Sequence, residues 1–263
     1  MSTRGVIYMM WGSSLKVEMA LHRSMTSVEK LHPELPIEVI RVEVADAIEG
    51  YLQKARMAEH TPFEETLFLD ADTVVLGRLD FGFQKAQQFG IACSICECPW
   101  ARRHAGGDGD LVEYNSGVLF FTKRVKPIFD TWADLAPRID SAIVHIDENG
   151  QKAVCPYADQ LTFSLAMDQH GFNPFVLPLN RNYRPPWHNS FFGPVKVWHS
   201  YADVPPGMSE LNRHYENPTR SSSSTATELL FPPLGCVTMR LAGSADGENV
   251  RHGSVSISRA LAD

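Results

Sequence analysis

The chain has 263 residues, 44% of them hydrophobic, and a formal net charge of −7. That length suits one sizeable α/β core, or one core with a small appendage. The acidic balance excludes a global basic footprint for nucleic acid. No apolar run approaches membrane-spanning length, and the opening MSTRGVIYMMWG lacks the long apolar core of a signal peptide, so a cytoplasmic protein is the expectation.

In chain order, residues 5–11 (GVIYMMW) read as a buried first strand. Gly12, Ser13 and Ser14 break it, and either serine can cap a helix over 15–31 that Pro33 and Pro36 close. Residues 37–44 alternate and predict a strand. Residues 47–60 predict a helix stopped by Pro62. The next strand leads through Leu67–Leu69 into Asp70, and a further apolar run covers 73–76. Strand, helix, strand, helix, strand predicts a parallel sheet with right-handed crossovers.

Beyond it, residues 89–96 and 117–122 read as buried strands, separated by a glycine-rich loop of mixed charge. Helices are expected over 125–139, where Ile128, Phe129, Trp132 and Leu135 keep helical spacing, and over 157–170. Short strands follow at 175–177 and 195–198, flanking the ordered loop NRNYRPPWHNSFFG, whose aromatic faces suit either packing or sugar stacking. From residue 217, NPTRSSSSTATE reads as a flexible linker and tail, which gives a main domain at 1–216 and an appendage at 217–263.

Five cysteines form no disulfide framework. Cys93, Cys96 and Cys98 cluster as CSICEC, but a structural zinc site takes four ligands from paired clusters, and Cys155 and Cys236 stand apart. Buried thiols at a strand end are expected instead.

The stretch ETLFLDADTVVLG places Asp70 and Asp72 inside the most strand-like part of the chain. A bare D-x-D is common, and Asp108 and Asp110 make another in the glycine-rich loop. The first pair differs because it ends a buried strand, where open α/β sheets bind ligands. Unpaired carboxylates are costly there unless something cationic joins them. A hard divalent ion is the natural partner, and residues i and i+2 of a strand project to the same side. The same letters also fit the haloacid-dehalogenase phosphatase string, in which Asp70 would be a nucleophile. That string belongs on a first strand, whereas here a β-α-β-α unit precedes it.

Four segments in order give the chain a resemblance to the metal-dependent GT-A glycosyltransferases, in particular family eight, the group of glycogenin and the bacterial lipopolysaccharide galactosyltransferases. They are LFLDADTVVLG, YNSGVLFF from Tyr114, YADQLTFSLAM from Tyr157 and VKVWHS from Val195, with Lys54 sixteen residues before Asp70. The resemblance spans about residues 4–200. It implies an α/β GT-A nucleotide-diphospho-sugar transferase fold, with a Rossmann-like, mostly parallel central sheet flanked by helices.

It further implies Asp70, Asp72 and His199 as ligands of Mn²⁺ or Mg²⁺, and Asp159 and Gln160 beside the transferred sugar. Donor contacts would come from Met10, Trp11, Gly12, Lys54, Ala71, Asn115, Ser116 and Gly117. Read from the residues alone, Met10 and Trp11 equally suit the core, Asn115 a turn, and Asp159 a helix start. The partner implied is a nucleotide-sugar donor, UDP-linked, with transfer to an acceptor hydroxyl and retention of configuration; inversion would follow if Asp159 served as a base. Two departures stand out. HSYADVPPG lacks the lysine that often follows the metal histidine, for which Arg102 and Arg103 are candidate replacements, and Ser164 stands near the usual Asn. A catalytically silent GT-A-like binding protein is a further alternative.

Overall fold

The computed structural model describes residues 4–96, 111–146, 152–155, 157–185, 187–188 and 193–216. The expected tail over 217–263, Cys98, Arg102, Arg103, Asp108 and Asp110 lie outside the described residues. Among the described residues no helix is long and apolar enough to cross a membrane.

The continuous apolar run near the start forms β1 (Arg4–Met10), buried on both faces. Helix α1 (Leu15–Leu31), β2 (Ile37–Arg41), α2 (Ala47–Lys54), α3 (Met57–His60) and β3 (Glu65–Leu69) follow. The helix expected over 47–60 is two helices. Between them Arg56 N–H donates to the Gln53 carbonyl, an i−3 bond that tightens the turn and ends the α-helical ladder. Next come β4 (Thr73–Val75), α4 (Asp80–Phe89), β5 (Ile91–Ile95), β6 (Tyr114–Thr122), α5 (Lys126–Leu135), a hairpin of β7 (Ile143–Ile146) and β8 (Lys152–Cys155), α6 (Asp159–Gln169), β9 (Phe175–Val176), β10 (Val197–His199) and α7 (Met208–Glu216). Helix α4 and the hairpin were not legible in the residue pattern.

The main sheet has the order β2-β1-β3-β6-β5-β9. β1 pairs in parallel with β2 and β3, as the alternating strands and helices predict. β6 runs antiparallel to both β3 and β5, while β9 is parallel to β5, so five of the six strands share one direction. Strand alternation splits the core in two. Val6, Tyr8, Leu67, Leu69 and Phe120 pack on one face against α1 and α4. Ile7, Phe68, Leu119 and Phe121 pack on the other against α5 and α6. Two filled faces make a three-layer sandwich and leave the carboxyl ends of β1, β2 and β3 as a rigid rim.

Trp132 of α5 is fully buried against Phe129 and Phe163, and its indole N–H donates to Thr162 Oγ1 at 3.0 Å. Trp132→Ala is expected to lower stability by about 3–5 kcal/mol, read as a lower urea midpoint at unchanged slope.

Candidate active site

β3 stops at Leu69, and Asp70, Ala71 and Asp72 form a turn before β4. The two aspartates therefore do not share a side by strand alternation, as their spacing suggests. They are brought together by the turn, in which Thr73 N–H and Thr73 Oγ1 both donate to the Asp70 carbonyl, at 3.2 and 2.8 Å. Asp70 N–H is anchored on the Gly117 carbonyl of β6 at 2.8 Å. β4 pairs with β10, not with the main sheet, and the register sets His199 opposite Thr73. Ser200 N–H then closes on the Asp72 carbonyl at 2.9 Å. As a result His199 Nε2 stands 3.3 Å from Asp72 Oδ1 and 3.7 Å from Asp70 Oδ2. One ligand atom from each of the three lies within 4.8 Å of the others.

A chain of amides decides which nitrogen of His199 faces the aspartates. The backbone N–H of Gly117 can only donate, and it donates to Asn115 Oδ1 at 3.0 Å. Asn115 Nδ2 therefore points to Gln160 Oε1 at 2.7 Å. Asn182 must meet Asn115 Oδ1 with its own Nδ2, also at 2.7 Å, which turns Asn182 Oδ1 to His199 Nδ1 at 2.8 Å. An acceptor there requires Nδ1 to carry a proton, so Nε2 is the nitrogen turned toward Asp70 and Asp72, and it can ligate an ion once it holds no proton. Asn182 is fully buried, and nothing in its sequence context flagged it. A Cβ added to Gly117 would collide with Asp70 Oδ2 and His199 Cε1. Glycine is needed there so that β6 can pass directly beneath the three side chains.

The other charge in the floor is Lys54, the last residue of α2. It is 3% exposed, with Nζ 3.0 Å from Asp70 Oδ1 and 2.8 Å from Asp159 Oδ2. Asp159 also accepts from Ser116 Oγ at 2.8 Å. Its carboxylate thus serves Lys54 and Ser116, and Ala158, not Asp159, is the N-cap of α6. Burial pushes the Asp159 carboxyl up, but the charge and hydrogen bond of Lys54 outweigh it and hold the group below the usual range. Asp72 is held low in the same way by His199. Burial wins at Asp70, whose carboxyl is raised despite Lys54 and His199.

These side chains floor a cleft of about 450 Å³ at the carboxyl ends of the strands. Trp11 and Tyr51 form one wall, edge to face at 5.3 Å, with Tyr157 5.9 Å from Tyr51. The Trp11 ring lies on Gly50, where a Cβ would strike it. Met10 lines the cleft and is also part of the core. Ala71, Asn115, Ser116, Asp159 and Gln160 line it too. Gly12 is exposed in the left-handed region at φ 72° and does not line it. Asn115, Ser116 and Gly117 lie within β6, not before it. Tyr157, Arg184, Trp187 and Tyr201 complete the walls; sequence reasoning gave none of the four a named role.

No protein-family model and no curated protein matches this sequence. Solved structures do match the fold. Mouse xyloside xylosyltransferase 1 in its apo form superposes with a TM-score of 0.51 at 12% identity, covering 76% of this chain and 99% of that one. The apo form of the glycosyltransferase GlyE from Streptococcus pneumoniae TIGR4 gives 0.51 at 14% identity, covering 77% of this chain and 55% of that one.

The chain has the GT-A glycosyltransferase fold.

On that GT-A frame, three residues outside the triad hold structural duties in the described parts. Ser164, near the place where an Asn was expected, accepts from Tyr114 N–H and donates to the Gln160 carbonyl, fastening β6 to α6. Cys93 and Cys96 are buried thiols that form no disulfide. A second acidic group, His32 with Glu34 and Asp80, lies by the amino ends of β1 and β2 in a cavity of about 410 Å³. Both ring nitrogens of His32 are engaged there, Nε2 by Leu79 N–H and Nδ1 by Glu34, so His32 has no lone pair to offer a metal.

Two outcomes follow from these contacts. Lys54→Met is expected to cost about 3–5 kcal/mol at neutral pH, because Asp70 and Asp159 lose their buried counter-charge. Asp159 is depressed in the folded state, so its contribution is complete above the unfolded carboxyl value of ~4 and is lost as pH falls through the folded value. The deficit of Lys54→Met against the parent should therefore shrink in acid, as denaturant titrations across pH will register. In ¹⁵N NMR spectra Nδ1 of His199 should carry a proton, and Asn182→Leu should abolish that preference for Nδ1.

Proposed function

We propose that this chain is a metal-dependent glycosyltransferase that moves a sugar from a nucleotide-diphosphate sugar, UDP-linked, to an acceptor hydroxyl with retention of configuration. The observation that carries the reading is the convergence of Asp70, Asp72 and His199, from two distant segments, in a cleft at the strand ends of a GT-A fold. Two carboxylates and an imidazole with its Nε2 turned inward fit Mn²⁺, with Mg²⁺ the second choice. Gly117, which has no Cβ, leaves the room between them. When bound, the ion supplies Lewis-acid stabilisation of the leaving nucleoside diphosphate.

The chain's own groups divide the remaining work. Trp11 and Tyr51 offer aromatic faces to a nucleobase. Lys54 gives Asp70 and Asp159 a buried counter-charge and holds them in place. Asn115 spends both ends of its amide on Gly117, Asn182 and Gln160, so it organises the floor. Gln160 spends Oε1 on Asn115, which leaves its amide N–H groups as donors for a sugar or acceptor oxygen. Asp159 Oδ2 is held by both Lys54 and Ser116. Taking a proton from an acceptor on either oxygen would cancel the charge that pairs with the buried Lys54 ammonium. That favours retention, in which the leaving phosphate oxygen receives the acceptor proton.

The phosphatase alternative is not favoured. The phosphatase string belongs on a first strand, whereas Asp70 follows β3, and phosphatase chemistry has no use for His199.

The test is a screen of UDP- and GDP-sugars with and without Mn²⁺, reading thermal stabilisation and slow donor hydrolysis. At a hundredfold excess over Kd, the matching donor should add about 2.7 kcal/mol of stability. Asp72→Ala should weaken metal-dependent binding by at least about 100-fold, beyond what loss of an outer partner costs. Absence of metal-dependent binding across the panel would overturn the reading. Binding without hydrolysis or transfer to any acceptor would instead identify a silent binding protein.

A further inference from the structure

The cleft floor holds three carboxylates, Asp70, Asp72 and Asp159, and one ammonium, Lys54, which is committed to two of them. One divalent ion balances the two charges that remain. A donor diphosphate then brings further negative charge, and packing it beside carboxylates without another cation is costly. The segment after the histidine, Tyr201 to Gly207, contains neither Lys nor Arg.

Two more cations come into question among the described residues: Arg184, which lines the cleft, and Lys16, which packs on the lining residue Tyr201. Arg184 lies with its guanidinium 5.8 Å from the Trp187 ring and Nη1 3.9 Å from Cys96 Sγ, just past the end of β5. Those contacts hold its guanidinium at the β5 end of the cleft. Lys16 is on the near side. It is the second residue of α1, exposed, with Nζ 4.4 Å from the centre of the Tyr201 ring. Among the described residues it makes no ion pair, and an aromatic face holds an ammonium without cancelling its charge.

Tyr201 itself lines the cleft, and its position is tied to the metal side chains. Ser200 N–H is bonded to the Asp72 carbonyl. Arg23, two turns along α1 from Lys16, donates from Nη2 to the Ser200 carbonyl at 2.9 Å and from Nη1 to Asp203 Oδ1 at 3.0 Å. Helix α1 and the loop after His199 are thus stitched together, with Lys16 and Tyr201 at the open end of the seam.

We propose that Lys16, steadied by the Tyr201 ring, is the cation that meets the diphosphate of the nucleotide-sugar donor. The proposal rests on the donor reading above. It assigns to the first helix a charge that the chain does not carry after its histidine.

The test uses the full chain with inorganic pyrophosphate plus Mn²⁺ as a probe that needs no knowledge of the base or sugar. Calorimetry on the parent protein examines the donor reading: no Mn²⁺-dependent pyrophosphate binding there overturns both it and this proposal. Given binding by the parent, Lys16→Ala should weaken it about tenfold, while affinity for Mn²⁺ alone and the melting temperature stay unchanged. Lys16→Arg should restore most of the loss, and Tyr201→Phe, which keeps the ring, should bind as the parent does. Equal pyrophosphate affinity in the parent and Lys16→Ala overturns the proposal and leaves the donor reading intact.

Discussion

The ammonium of Lys54, wedged between Asp70 and Asp159, is the contact on which the cleft depends. Carboxylates gathered at the buried end of a sheet repel one another and resist desolvation. One lysine at the end of α2 relieves both problems for two of them, and it links three elements in doing so: the turn after β3, the start of α6, and α2 itself. Asp72 is answered separately by His199. The floor is therefore electrostatically arranged before any ligand arrives, yet it keeps an excess of negative charge that suits a divalent cation.

The second constraint is hydrogen-bond direction. A peptide N–H cannot accept, so the Gly117 N–H orients Asn115, Asn115 orients Gln160 on one side and Asn182 on the other, and Asn182 sets the tautomer of His199. A glycine thus acts twice, through the side chain it lacks and through the backbone proton it has. Each amide in the chain is buried, and breaking one link leaves polar atoms without partners, which is what makes the arrangement rigid.

Charge is distributed unevenly along the cleft. The aromatic pair Trp11 and Tyr51 lies toward β1, the aspartates and His199 at the end of β3, and Gln160 with Asn115 beside β6. Arg184 and Trp187 close the far end near β5. A ligand laid along this line would meet aromatic faces, then two aspartates and a histidine, then amide donors. That order matches the base, diphosphate and sugar of the proposed donor.

Much of this was legible in the residues. Strand and helix periodicity gave the parallel β1, β2 and β3 and the limits of α1, because buried strands and amphipathic helices each impose a local period. The position of LFLDADTV after a β-α-β-α unit already set Asp70 and Asp72 at a sheet rim. Local pattern could not show that the pair sits on a turn, that the run after it leaves the main sheet to join β10, or that β6 reverses direction. Those are pairings between segments far apart in the chain, which no local period records. Asn182, Tyr201 and the seam along α1 were equally silent, since an asparagine or a tyrosine in a loop carries no signal until the fold decides what it faces. The residue types able to hold a metal were thus written in the sequence; their distances, the histidine's proton and the partner of every buried charge were decided by tertiary packing, where desolvation leaves each polar group few permitted neighbours.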